Sequence, residues 1–439
     1  MGLSSILRES RRRYRSILDN FAIVASAHSS ENELGAASFA TNSLLAPLPA
    51  DAYRRTRVER SLHTFGGQPR SSAFRTERTS LAKYAAWLSA AACLVLHEGF
   101  MVEPYVEAST QLEQLRNDLG DRLWMATPEV WRAWGNKAEF RQRCRNTLGE
   151  RSVPPGIEFT ALVASDIVAA NKALGPGDSD IRIVKLPGIG GQGNLVLNSA
   201  THKSWGQQIE ELWQRRASGP LDIVIEHWLP WEASYSVSYL VPPDAAPRPI
   251  AVCEQTVDRK LGRFVGSRND IDLSDGDIDA MLAWLEPLFE AMGRDGFTGV
   301  AAIDVIVDSG TNWNGYGYRL PSGKTVSAIE CNPRFNRHNR VGLFVERLAR
   351  KWKLDSSDLS WTLRDVYPAD AVHLRTFINQ LQASDAAGRL QRRRTPEAPP
   401  QARLLFADRL DRVMELNVVV RGRTGGGDDR SAETQCAWP

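Results

Sequence analysis

Two stretches of the chain carry acids where a metal could use them: "GVAAIDVIVD" (299–308) and "VSAIECNPRFNRHNR" (326–340). Both begin as β-prone apolar runs and take on polar residues. Asp304 lies within the first, and Glu330 and Asn332 end the second. Residues two apart on a strand share a face, so Glu330 and Asn332 can point together. With Asp304 on a neighbouring strand they make an all-oxygen set. That set suits Mg²⁺, which takes a few carboxylates together with phosphate oxygens and water. Taken singly, each acid also reads as an ordinary salt-bridge partner or strand-end charge. Against that stands the setting of Asp304 in "AAIDVIV", where an unpaired acid is costly to bury.

A phosphate site is suggested independently by "IRIVKLPGIGGQGNLVLN" (181–198). Gly188-x-Gly190-x-x-Gly193 has the spacing of a dinucleotide fingerprint, which counts only between a strand and a helix. The segment 194–198 after the glycines is short and β-prone, so the stretch reads as strand, glycine loop, strand. A flap of this kind still suits phosphate. The backbone of Gly190, Gly191 and Gly193 can approach closely and aim N–H groups at anionic oxygens. Lys185, in the strand just before, adds a cation. No Gly-Lys-Ser/Thr closes a P-loop, and neither HRD nor DFG is present for a protein kinase. A plain glycine-rich hairpin turn is the alternative.

A third piece, "LDIVIEHWLPWE" (221–232), runs a hydrophobic strand into Glu226. Such a strand-to-hinge segment can offer backbone groups and an aromatic wall to an adenine, with Glu232 in reach of a ribose hydroxyl. Taken singly, Trp228 reads as a packing residue at a domain edge.

Length and periodicity supply the scaffold for these residues. At 439 residues the chain should hold roughly two to three domains. Its net charge of +2 points to no nucleic-acid partner. The longest apolar run, 85–96, is too short to span a bilayer. Five cysteines lack metal-type spacing, so a cytoplasmic protein with free thiols is the expectation. Residues 1–124 suggest an N-terminal α/β domain, with an apolar run at 21–25. A helical segment begins near 127, "VPPG" (153–156) is a turn, and a helix covers 164–174. Strands are expected at 221–226, 234–241, 249–255, 298–308 and 325–331. "SDGDIDAMLAWLEPLFEAMG" (274–293) is an amphipathic helix with Ser274 as its cap. Beyond 383 the sequence reads as a linker and a small C-terminal segment.

In this order the residues resemble the ATP-grasp superfamily of ADP-forming carboxylate–amine ligases. The resemblance covers roughly residues 125–345. It rests most on "IECNPRFN", and "WGNKAEFRQRC" is similar to the segment supplying that family's first ATP-binding lysine. It implies a fold of the α/β class built from two α+β subdomains, 125–229 with the flap and 230–382 with the metal and substrate site. Lys137 and Lys185 would bind the α- and β-phosphates of ATP, and the flap would cover the β- and γ-phosphates. Glu226, Trp228 and Leu229 would line the adenine pocket and Glu232 would hold the ribose. Asp304, Glu330 and Asn332 would bind two Mg²⁺. D-alanine ligase-like members carry an arginine two positions before the metal aspartate, where this chain has Ala302. Arg334 takes that role in this reading, with help from Arg268 or Arg340. The biotin-carboxylase pattern, whose first metal ligand is usually a glutamate, is not seen.

The implied reaction activates a carboxylate as its acyl phosphate and passes it to an amine, releasing ADP. Both steps build negative charge, which Mg²⁺, lysines and an arginine are suited to stabilise. Small-molecule acids and amines or peptides are the implied partners, with no membrane partner and with a homodimer left open. The stretch "EQTVDRKLGRFVGSRN" (254–269) reads as a loop whose Gln255, Arg263 and Arg268 meet a carboxylate or simply face solvent. Its flavour is similar to peptide ligases of the pheganomycin type. Two alternatives stay open: transfer of the acyl group to a carrier-protein thiol, and a nucleotide-binding module without catalysis.

Overall fold

The computed structural model describes residues 21–25, 101–105, 126–175, 181–186, 194–198, 204–216, 219–258, 263–308, 312–334, 336–366, 401–409 and 412–421. The expected N-terminal domain lies almost wholly outside these residues, as do the glycine flap and the linker after 383. Within the first 125 residues the described part is one parallel pair, β1 (Phe21–Ala25) and β2 (Met101–Tyr105).

Among the described residues two antiparallel sheets carry the rest. The smaller has four strands in the order β3-β6-β4-β5: β3 (Gly156–Ala161), β4 (Ile181–Lys185), β5 (Asn194–Asn198) and β6 (Leu221–His227). Strands β4 and β5 are the hairpin expected on either side of the glycine flap. Helices α3 (Ala164–Ala173) and α4 (Trp205–Arg216) cover one face, burying Ile167 and Ile209 against Val184, Leu197, Ile223 and Ile225. Strand β3 follows the expected turn at 153–156 directly.

The larger sheet has nine strands in the order β11-β12-β10-β7-β8-β9-β13-β15-β14. They are β7 (Ala233–Val241), β8 (Arg248–Asp258), β9 (Arg263–Arg268), β10 (Gly299–Asp308), β11 (Tyr318–Arg319), β12 (Thr325–Asn332), β13 (Leu359–Val366), β14 (Gln401–Arg409) and β15 (Arg412–Val420). The β14–β15 hairpin, in the segment expected as a small C-terminal appendage, extends this sheet through the β13–β15 pairing.

One face of this sheet carries the main core and the other turns the β7 serines inward, as the alternation of β7 shows. Its sequence "ASYSVSYLV" alternates, and successive strand residues point to opposite faces. Tyr235, Val237 and Tyr239 enter the main core with Val305 and Val307 of β10 and with helix α5 (Asp275–Arg294). Tyr239 stacks on Phe289, ring centroids 4.1 Å apart, and donates to the Leu282 carbonyl at 2.8 Å. Ser274 caps α5 as expected, its Oγ accepting from the Asp277 N–H at 3.1 Å. Helices α1 (Pro128–Gly135) and α2 (Lys137–Leu148) close the same core with Trp134, Phe140 and Cys144.

Ser234, Ser236 and Ser238 face the other way and are buried. Helix α6 (Arg337–Trp352) covers part of that second face, packing Val341, Val345 and Ala349 on Cys253, Trp361 and Leu363. Its first turn is fixed by a reciprocal pair: Asn336 Oδ1 accepts from the Asn339 N–H and Asn339 Oδ1 from the Asn336 N–H. Among the described residues no helix is long and apolar enough to cross a membrane.

Candidate active site at the junction of the two sheets

Asp304 on β10 pairs in register with Glu330 on β12 and with Ser236 on β7. Directly opposed residues of an antiparallel pair share a face, so the two carboxylates stand on the serine-lined side of the sheet. Asn332 donates from Nδ2 to Asp304 Oδ2 at 3.1 Å, bringing the third expected ligand to the same spot. Burial, then the neighbouring charge of Glu330, pushes the Asp304 carboxyl up to about 7, although Ser236, Gln255 and Asn332 oppose the rise. Asp304 Oδ1 is buried and carries no hydrogen bond of ordinary geometry among the described residues.

A bound cation would relieve both the burial of this acid and the charge of the second one. Among the described residues no three His, Cys, Asp or Glu side chains converge. The donor set is therefore two carboxylates and an amide. That fits Mg²⁺, whose remaining positions are commonly filled by phosphate and water.

Two lysines meet this site from different elements. Lys137 is the first residue of α2, whose cap is Asn136, the side-chain oxygen accepting from the Ala138 N–H at 2.9 Å. The Lys137 ammonium is buried, donates to the Leu186 carbonyl at 3.3 Å and lies 3.8 Å from Glu330 Oε1. Lys185 ends β4 of the small sheet, yet its Nζ donates to the Ile329 carbonyl on β12 at 3.0 Å, one residue before Glu330. Its second partner is Glu226 Oε2 at 2.6 Å. The Glu226 carboxylate, expected beside an adenine, is 1% exposed and engaged by Lys185 and by Arg141.

The hinge after β6 returns over the same face. The Trp228 N–H donates to the Ile181 carbonyl at 3.2 Å and the Glu232 N–H to the Val307 carbonyl at 2.8 Å, tying both sheets to this segment. Leu229 is buried with Ile306 and Trp313, and Trp231, Tyr316 and Ile329 pack around them. Trp228 and Trp231 lie 6.3 Å apart between ring centroids. An apolar, aromatic shelf thus adjoins the carboxylates. Glu232 is exposed, with Lys324 at 3.6 Å.

The arginine expectations divide. The Arg334 N–H donates to the Asn332 carbonyl at 2.8 Å, so a tight turn holds Arg334 beside the ligand set. Arg340 lies in the first turns of α6, and its side chain is outside the described residues, as are Gly190, Gly191 and Gly193. Arg268 is a correction. The stretch expected as a loop is the end of β8 and strand β9, and the register is Tyr235↔Glu254↔Arg268. Arg268 therefore shares the face of Tyr235, opposite to Asp304, where it binds both oxygens of Glu254 at 2.8 Å. The twofold alternation of a strand removes it from the site. By the same alternation Gln255 and Ser267 face the site. Gln255 Oε1 accepts from Ser234 Oγ at 3.0 Å, and its Nε2 lies 3.4 Å from His338 Nε2.

Two residues here escape a reading by motif. His338 sits in the first turn of α6, buried and edge-on to Phe264. Arg141 lies four residues after Lys137 on α2, a spacing that places both on one helix face and is a usable signal.

No family model matches the chain, and no curated protein matches it. Its structure is similar to several solved ones. A biotin carboxylase–β,γ-ATP complex from Campylobacter jejuni aligns with a TM-score of 0.51 at 14% identity, over 78% of this chain and 76% of that one. An N5-carboxyaminoimidazole synthetase from Staphylococcus aureus complexed with ADP gives 0.50 at 12% identity, over 83% and 90%. The biotin carboxylase domain dimer of the Hydrogenobacter thermophilus 2-oxoglutarate carboxylase, in complex with MgADP, ADP and bicarbonate, gives 0.50 at 11% identity, over 83% of each chain. The likeness is one of fold, a mixed α/β architecture.

Proposed function

We propose that this chain, with its ATP-grasp fold, is an ATP-dependent ligase that activates a carboxylate as an acyl phosphate and joins it to an amine. The observation that carries the reading is the convergence of two buried lysines, from α2 and from β4 of the other sheet, on the strand bearing Glu330. Cations brought from separate elements to a pair of carboxylates suit a polyphosphate chelated to a divalent metal. Asp304, Glu330 and Asn332 would hold Mg²⁺, which when bound supplies Lewis-acid stabilisation of phosphoryl charge.

The chain's own groups divide the remaining work. Lys137 and Lys185 bind the phosphates, and the Leu229 shelf and Trp228 take the purine. Arg334, with a planar fork, meets the oxyanion that forms as the acyl phosphate is made and attacked. The glycine segment 188–193, which lies outside the described residues, is the expected cover for the β- and γ-phosphates, where exclusion of water would protect the mixed anhydride. An amino acid-like acid and an amino acid or peptide acceptor, as in natural-product peptide ligases, are the proposed substrate classes. Gln255 and His338 lie on the face where an acceptor would stand.

The test is product analysis with ATP, Mg²⁺ and pools of amino acids and peptides. Stoichiometric ADP and phosphate that require both an acid and an amine support the ligase. AMP and pyrophosphate would replace it with adenylate chemistry. ADP release that requires a carrier protein would move the acceptor to a thiol.

A further inference from the structure

We infer that Arg141 is a positioning residue that keeps the charge of Lys185 available to the nucleotide phosphates. The inference rests on the ATP reading above and adds a residue to it.

Arg141 is 2% exposed and lies behind the site. Its Nη1 donates to Glu226 Oε1 at 2.6 Å and to the Pro154 carbonyl at 2.7 Å, and its Nε to Glu158. Arg145 holds the same Glu158 with two bonds, at 2.5 and 2.9 Å. Burial alone would raise the Glu158 carboxyl, but hydrogen bonds from Arg145 and Arg141 hold it below its ordinary value, so it stays ionised. Glu226 is bound on its other oxygen by Lys185 at 2.6 Å. The cluster therefore holds three cations (Arg141, Arg145, Lys185) and two carboxylates (Glu158, Glu226), one net positive charge. Glu150 lies 3.5 Å from Arg145 but is 82% exposed, where water and salt screen it.

That net charge has one place to act. Arg141 and Arg145 are turned to Glu158 and Glu226, whereas Lys185 also reaches the Ile329 carbonyl beside Glu330. Without Arg141, Glu226 and Lys185 would form an isolated neutral pair, and at this burial their mutual attraction would be strong. The ammonium would be held by its own carboxylate and its field on a phosphate cancelled. Arg141 neutralises Glu226 from behind and leaves the lysine charge uncompensated. Gly156 secures the arrangement: opposite Glu226 in the β3–β6 pair, a Cβ there would come within 3.1 Å of the Glu226 Cα and Cγ.

The test is calorimetric titration of Mg-ADP into folded wild type, Arg141→Met, Arg141→Lys, and Arg141→Met combined with Glu226→Gln, with steady-state kinetics alongside. Arg141→Met is expected to weaken Mg-ADP by about tenfold and to raise KM for ATP with kcat within about threefold, because a lysine–phosphate contact is present in ground and transition states alike. Adding Glu226→Gln restores the net charge and is expected to bring affinity back to within about threefold of wild type. Rescue by removing a second charge is a result that a merely structural arginine would not give.

Arg141→Lys keeps the charge, should also bind within about threefold of wild type, and serves if the methionine variant fails to fold. Unchanged binding by Arg141→Met, absence of rescue in the double variant, or a tenfold loss in Arg141→Lys would overturn the inference. Failure of wild type to bind Mg-ADP at all would instead remove the nucleotide reading on which it rests.

Discussion

Asp304 and Glu330 oppose each other across the β10–β12 pair, and burial together with the charge of Glu330 raises the Asp304 carboxyl to about 7. Two acids on neighbouring strands of one face are a liability in a protein without a cation, because burial and repulsion both favour the protonated form. The pair is thus better suited to binding a metal than to stabilising the fold.

This raised acid gives stability a pH dependence of definite sign. Between the unfolded value near 4 and about 7, the metal-free folded protein holds a proton that the unfolded chain has lost. This group therefore favours folding at low pH, and its contribution is lost as pH rises through that window, by at most about 1.4 kcal/mol per unit. Asp304→Asn removes the dependence. Urea unfolding without Mg²⁺ at pH 5 and 8 should show the variant gaining on wild type at the higher pH. A pH-independent gap would mean that Asp304 is not raised.

Lys185→Gln should fold and lose ATP turnover at subsaturating ATP by on the order of a hundredfold or more, mainly through a raised KM, since the cation proposed to meet the phosphates in ground and transition states alike is removed. The circular dichroism spectrum checks the fold and an ADP assay the turnover. Activity within a few-fold of wild type would take Lys185, and the flap it precedes, out of the phosphate site.

Arg334→Lys keeps a charge but loses the planar fork that bonds two oxygens at once. The expected result is a fall in kcat of about a hundredfold with little change in ATP affinity, as for loss of one oxyanion donor. If only the KM of the acid substrate rises, Arg334 is a carboxylate clamp. The oxyanion role then passes to Arg340, since Arg268 lies on the other face of the sheet.

Glu330→Gln should weaken Mg²⁺-dependent nucleotide binding in a way that extra magnesium partly rescues. Titration of Mg-ADP at two magnesium concentrations separates this from a folding defect, which magnesium would not reverse.

Much of this is legible in the amino-acid sequence, for identifiable reasons. Asp304, Glu330 and Asn332 sit in long strands where a period of two tells which residues share a face, and α5 displays both its cap and its apolar stripe. Strand β9 reads as a loop because it is short, arginine-rich and broken by Gly266. There a Cβ would meet the Leu363 carbonyl at 2.5 Å, so the glycine serves close strand approach, not a turn. The face of Arg268 depends on the β8–β9 register, which no local pattern encodes. Arg141 escapes notice for a similar reason: its partner Glu226 is 85 residues away in sequence. The serine stripe of β7 is visible in "SYSVSY" as strict alternation, and only the neighbouring strands tell which half faces the site.

The order of strands in the large sheet bears on how the protein is made. Strand β9 gains its outer neighbour only when residues 359–366 arrive, and β13 waits for residues 412–420. While the ribosome is still adding those residues, the finished part of the sheet ends in an open ladder of N–H and C=O groups. Such an edge invites pairing with other chains. At roughly 5–20 residues per second the exposure lasts for seconds. The hairpin β14–β15, which completes this end of the sheet, is therefore a place where truncation should lower the yield of intact protein by aggregation.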